Sequence, residues 1–198
     1  MFSLNVPLPP AVDRLAADLH SKCSGFDRVR DRRTLVCKRF GVGDVPDRVA
    51  SDERAGGGVG ASPGSPADGP SPPKPDALDA LRDDLQPLLA GTDPFPVAVS
   101  GIDVFVAPAS GSGPVLYLVV ESDALVRVHN RLCAADGAVE GIEGEEYAPH
   151  VTLARGGDPE PGVVADLAAA EFEPIRWRVH ALDLYDPEFR EVAATIDL

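Results

Sequence analysis

The 198-residue sequence predicts a fold of mixed strands and helices, and three observations carry that prediction. Short stretches alternate apolar and polar residues, as in Phe2-Ser3-Leu4-Asn5-Val6 and His150-Val151-Thr152-Leu153. These read as strands, because residues two apart share a face. Other stretches place apolar residues three and four apart, as in Val12, Leu15, Ala16 and Leu19, and read as helices with one buried side. Hydrophobic residues make up 44% of the chain, enough for a real core in one large domain or two small lobes.

In chain order, a strand over Met1–Val6 is broken by Pro7 to Pro10 and followed by a helix over 11–22. His20 falls in that helix, where its plainer reading is a surface or helix-end histidine. The stretch from Phe26 to Phe40 holds a strand that begins among arginines. A helix over 76–89 carries Leu78, Leu81 and Leu85, with Asp76 as its N-cap. Residues 95–108 read as one strand or a tight pair split at Ser100-Gly101. A buried strand over 115–120 leads into a helix over 122–134, capped by Ser122 or Asp123. An acidic loop over 137–146, a short helix over 163–170, a strand over 172–185 and a terminal strand over 192–198 complete the reading. On the 172–185 strand, Arg176, Arg178 and His180 share a face and are candidates to border an anion site.

Residues 43–75 differ in kind. They are crowded with Gly, Pro, Ser, Asp and Ala, and they cannot bury enough apolar surface to offset the entropy of ordering. They are expected to form a flexible insertion in an otherwise single domain over 1–198. Gly56-Gly57-Gly58 is not a phosphate loop, since no Gly-Lys-Ser/Thr follows and no strand precedes it.

The net charge is −14, and only Lys22, Lys38 and Lys74 are lysines. An acidic, lysine-poor surface suits solubility in high salt, and a halophilic origin is the expectation from composition. The charge argues against loose nucleic-acid binding but leaves room for a local basic cleft. The sequence holds no apolar run of membrane-spanning length and no signal-like start, so a cytoplasmic location without membrane partners is expected. Cys23, Cys37 and Cys133 have no paired spacing and read as free thiols. His129 and Cys133 lie four apart on a helix, but structural zinc normally needs four ligands and no second pair accompanies them. No Gly-x-Ser-x-Gly elbow is present for a serine hydrolase.

The most informative stretch is Tyr147-Ala148-Pro149-His150-Val151-Thr152-Leu153-Ala154-Arg155. Alternation puts His150 and Thr152 on one face, with Val151 and Leu153 packed behind. A group that exchanges a proton near neutral pH then stands beside a hydroxyl that can hold an anion. The plainer reading is a half-buried strand with a satisfied histidine. Thr34-Leu35 repeats Thr152-Leu153, and when the two are overlaid Arg32 falls where His150 stands. Arg32 and Thr34 would share one strand face, with Arg33 and Leu35 on the other.

These residues resemble the two-histidine phosphoesterase superfamily, in its branch of 2′-5′ RNA ligase-like, RNA 2′,3′-cyclic phosphodiesterases. Pro149 to Arg155 matches that family's second His-x-Thr motif, and the strand–helix order fits around it, except for the 43–75 insertion. The resemblance implies an α+β fold of two pseudo-symmetric lobes, each an antiparallel-rich sheet flanked by helices, around a central cleft. It implies His150 as catalytic, Thr152, Thr34, Arg32 and Arg155 as phosphate-binding, and RNA ends or cyclic nucleotides as partners. No cofactor and no metal are implied, and a monomer is expected. The departure is Arg32, where the family has histidine. Arginine stays protonated, so it clamps a phosphate but supplies no base. The alternative is a catalytically weak or inactive member that binds an RNA end or nucleotide.

Overall fold

The computed structural model describes residues 2–41 and 74–198. Among these, nine strands form one curled antiparallel sheet, with four helices around it. The chain opens with β1 (Phe2–Val6), α1 (Pro10–His20), β2 (Arg28–Val29) and β3 (Leu35–Phe40). After α2 (Lys74–Leu89) come β4 (Phe95–Phe105), β5 (Val115–Glu121), α3 (Asp123–Asp136) and β6 (His150–Arg155). Then follow α4 (Pro161–Ala168), β7 (Ile175–Val179), β8 (Ala181–Asp186) and β9 (Glu191–Asp197).

Across the sheet the order is β7-β4-β5-β6-β3-β1-β8-β9, with β2 beside β6. The sheet therefore has two halves that meet where β6 lies against β3. Each half contains a strand–helix–strand unit, β1–α1–β3 in one and β5–α3–β6 in the other, and in both the two strands are antiparallel neighbours. This is the two-lobed arrangement the resemblance implies, built as one continuous sheet.

The helices form where the apolar spacing places them. Val12, Ala16 and Leu19 of α1 and Leu81, Leu85 and Leu89 of α2 are buried. Pro10 opens α1, where its missing N–H costs nothing. Ser122 caps α3, its hydroxyl accepting the Leu125 N–H at 3.2 Å, a contact worth about 1 kcal/mol. α2 begins at Lys74, so Asp76 lies inside the helix and not at its cap. The insertion expected over 43–75 lies outside the described residues, apart from the start of α2.

One strand reading is decided between its alternatives and another changes. Ser100-Gly101 does not split residues 95–105; β4 runs through as one strand with a bulge between Val99 and Gly101. The single strand expected over 172–185 is two strands that serve opposite ends of the sheet. β7 pairs with β4, whereas β8 pairs with β1 and β9. The chain crosses between halves at His180, a break that the continuous apolar alternation conceals. Arg176 and Arg178 consequently sit exposed on β7, the edge strand, outside the cavity described below.

No described helix is long and apolar enough to cross a membrane.

Candidate active site

The seam between the halves builds the site. Leu35 of β3 pairs with Val151 of β6, and both are fully buried on the helix side. Their flanking residues must turn to the other face. Thr34 and Val36 do so from one half, His150 and Thr152 from the other, and all four line a cavity of about 440 Å³.

Arg155 reaches this cavity through an irregularity. Tyr117 of β5 pairs with Thr152, but Leu116 pairs with Ala154, so β6 carries an extra residue at this point. Leu153 and Ala154 both point into the core, and Arg155 is shifted onto the face of His150 and Thr152. Its Nη2 donates to the Ser110 carbonyl at 2.9 Å and its Nε to the Ser112 carbonyl at 3.3 Å. The guanidinium thus also anchors the β4–β5 loop. Gly111, at φ 74°, is where that loop closes on it, and a Cβ there would lie 3.1 Å from the guanidinium.

His150 donates its Nδ1–H to the Ala148 carbonyl at 2.7 Å, which leaves Nε2 as the acceptor of a neutral ring. The edges of Phe105 and Tyr117 pack on the imidazole at 5.3 and 5.4 Å between ring centres. Burial, and then the charges of Arg39 and Arg155, push the imidazole below its ordinary pKa, against the opposing pull of the Ala148 carbonyl. The shift favours the neutral form of the His150 ring. Burial pushes the neighbouring Tyr117 hydroxyl up to about 12, and Asp103, which accepts its proton at 3.3 Å, adds to the shift.

Arg32 and Thr34 do not share a strand. β3 begins at Leu35; Asp31 and Arg32 form a bend, and Arg33 and Thr34 are irregular. Arg32 and Thr34 both line the cavity, whereas Arg33 turns to α1 and pairs with Asp13 at 3.5 Å. The Arg32 guanidinium lies 4.5 Å from the centre of the Tyr185 ring and donates to the Arg190 carbonyl at the β8–β9 turn. It is a rim residue held by β8 and the β8–β9 turn, which lie in the same half of the sheet as β3.

The cavity contains residues that sequence reasoning passed over. Arg30 and Arg39 line it, bringing its arginines to four with Arg32 and Arg155, against one carboxylate, Glu146. Phe105 adds an aromatic wall. The alternation of Arg28, Arg30 and Arg32 was a readable signal. Arg39 depends on a shift in the β1–β3 register near Leu4 that no local pattern shows.

One wall comes from the loop before β6, and a buried ion pair fixes it. Lys38 of β3 and Glu143 of the loop meet at 2.9 Å, with side chains 2% and 0% exposed. Glu143 also accepts the N–H of Arg39 at 2.8 Å and of Val139 at 3.0 Å. Next to this pair, His129 is a core histidine. Its Nδ1 lies 2.6 Å from the Cys37 carbonyl, its Nε2 accepts the Gly144 N–H at 2.9 Å, and the Tyr147 ring stacks on it at 3.7 Å. Cys133 approaches the same Nε2 at 3.3 Å. Among the described residues, no group of three or more His, Cys, Asp or Glu is placed to hold a metal ion.

A curled antiparallel sheet of two halves around one cleft is the architecture of the two-histidine phosphoesterases. The model of the 2′-5′ RNA ligase superfamily matches residues 63–188, which include His150 to Arg155 and exclude Arg32 and Thr34. The chain belongs to that superfamily. The protein TT0787 of Thermus thermophilus is similar in fold, with a TM-score of 0.56 and 21% identity over 100% of this chain and 97% of its own. So is E. coli LigT, solved in complex with 3′-AMP, with a TM-score of 0.51 and 14% identity over 100% of this chain and 93% of its own. No curated protein matches the sequence.

Proposed function

We propose that the protein opens 2′,3′-cyclic phosphates at RNA ends, with His150 as its proton-transfer group. The observation that carries this reading is a neutral imidazole, free at Nε2, in a cavity that holds four arginines in a chain of net charge −14. In this reading His150 takes a proton from water as the water oxygen bonds to phosphorus. The bond from phosphorus to one ribose oxygen breaks, and the imidazolium returns the proton to that oxygen. The product is a phosphomonoester. Thr152, Thr34 and Arg39 hold the non-bridging oxygens, where fixed donors stabilise the developing charge. The 3′-AMP bound by E. coli LigT fits a nucleotide in this cleft. The acidic, lysine-poor composition fits work in high salt, and assays on cyclic-phosphate-ended RNA in low and high potassium chloride test both points. Turnover at high salt supports the reading, and no turnover in either buffer counts against it.

A second reading has its own observation. His150 is the one imidazole among the described cavity residues, where the family pattern has two. With one proton-transfer partner missing, turnover should be slower by roughly 10²–10⁴-fold, and the protein then serves chiefly to bind a nucleotide end.

The substitution Arg32→His separates these. It offers a second imidazole at the rim while giving up the contacts with Tyr185 and Arg190. Turnover should rise, by up to roughly 10²-fold, while affinity for a phosphomonoester product falls with loss of the guanidinium. Arg33→His should do neither, because that side chain faces α1. Steady-state kinetics of the three proteins decide it, and a fall in turnover for Arg32→His would make Arg32 itself a working catalytic residue.

A further inference from the structure

Three arginines meet at one edge of the cavity: Arg30 and Arg155 line it, and Arg28 lies opposite Arg155 on the adjoining strand. β2 runs antiparallel to β6, with Arg28 opposite Arg155 and Val29 opposite Ala154. Val29 packs on the core, as Ala154 does, so Arg28 and Arg155 take the other face, where Arg155 lines the cavity and Arg28 lies exposed beside it. Arg30 follows two residues after Arg28. Its N–H donates to the Leu153 carbonyl at 2.7 Å, and its side chain lines the cavity.

The backbone enforces this placement. Gly157 has φ 85°, and a Cβ there would lie 2.2 Å from the Gly25 carbonyl oxygen. The segments leading into β2 and out of β6 lie closer than any side chain at that point permits. Like charges facing each other across a strand pair cost stability. Yet none of these three guanidiniums lies within ion-pair distance of a carboxylate among the described residues. Burial and the charges of Arg30 and Arg28 push Arg155 below its ordinary pKa, the response of a cation crowded by cations. In a chain with 32 acidic residues, such a cluster is a site kept for an external anion.

We propose that Arg28, Arg30 and Arg155 form a second phosphate subsite, which takes the 5′-phosphate of the nucleotide whose cyclic phosphate sits at His150 and Thr152. The proposal rests on the nucleotide-end reading above and names its substrate class. Arg155 lies three residues beyond Thr152 on the same strand, roughly 10 Å along it, which is the scale of one nucleotide. A nucleoside 2′,3′-cyclic phosphate has no second phosphate to offer. An RNA end does, and so does a 5′-phosphorylated nucleotide. The subsite therefore selects these over free cyclic nucleosides.

Calorimetric titration with three ligands that are not turned over tests it. They are adenosine 3′-monophosphate, adenosine 3′,5′-bisphosphate, and an adenylyl dinucleotide with a free 5′-hydroxyl and a 3′-phosphate. The full chain should bind the bisphosphate and the dinucleotide roughly tenfold or more tightly than the monophosphate. Arg28→Gln and Arg30→Gln should each remove most of that gain and leave monophosphate affinity unchanged, with thermal unfolding confirming that both variants fold. A gain for the bisphosphate alone would assign the subsite to a terminal phosphate and not to an RNA diester. Equal affinity for all three ligands overturns the proposal, as does no binding of any. Equal weakening of all three in the variants also overturns it, since the arginines would then supply only a general field. Hydrolysis measured in parallel keeps the two readings apart. A bisphosphate preference without turnover keeps the subsite and removes the proposed activity, and turnover with no preference does the reverse.

Discussion

His150→Ala is expected to abolish turnover of a 2′,3′-cyclic phosphate, a loss of at least roughly 10²–10⁴-fold, while the thermal transition stays close to that of the wild type. The imidazole makes one backbone hydrogen bond and two ring-edge contacts, and it sits on the cavity face, not among the residues packed beneath the helices. Its removal therefore takes little from the core. Activity assays and a melting curve on the same preparation give both quantities. An active variant would remove His150 from the chemistry, and an unfolded one would show that the histidine is there for packing.

Glu143→Ala is expected to have the opposite profile, with a large loss of stability. It strands the Lys38 ammonium in a site 2% exposed. Breaking a buried pair in this way costs about 3–5 kcal/mol, because an uncompensated charge is left behind. For a chain of this size that lowers the melting temperature by on the order of 10 °C. Lys38→Met combined with Glu143→Leu should recover much of the loss, since neither charge then remains. The pair also implies a pH dependence. Burial raises the Glu143 carboxyl, but hydrogen bonds from Lys38 and from the N–H groups of Val139 and Arg39 outweigh it and hold its pKa below the ordinary 4.5. A carboxylate depressed in the folded state stabilises fully above its unfolded pKa, and that stability is lost as pH falls through the folded one. The wild type should therefore lose this contribution below about pH 4.5, and Glu143→Gln should lack that part of the slope. If Glu143→Ala melts with the wild type, the pair contributes nothing. The pair also fixes the backbone of Arg39 and the loop wall, so activity should fall with it.

The alternation in His150-Val151-Thr152-Leu153 made the heart of the candidate site legible, because one buried face and one open face leave a two-residue period in the sequence. Arg155 was not legible that way. Alternation alone assigns it to the core side with Val151 and Leu153, and only the bulge in β6 turns it into the cavity. Arg32 was read into a strand that does not reach it, because a bend has no period and an arginine-rich bend looks like an exposed strand start. The 172–185 segment failed for a related reason: the alternation that marks a strand says nothing about which half of a sheet the strand joins. Lys38 and Glu143, 105 residues apart, left no local trace of their pairing. The helices were the easier part, since each buries one stripe and carries its own signal.

The pH dependence of kcat/KM on a cyclic-phosphate-ended RNA tests most directly the claim that one imidazole carries the chemistry. A base must be unprotonated to act, and His150 is pushed below the ordinary imidazole value of 6.5. The account predicts a single acid limb with its midpoint below pH 6.5, a plateau through neutrality, and no second ionisation near pH 7. A bell-shaped profile with an alkaline limb near neutrality would reveal a second proton-transfer group and contradict it, as would a limb that persists in His150→Ala.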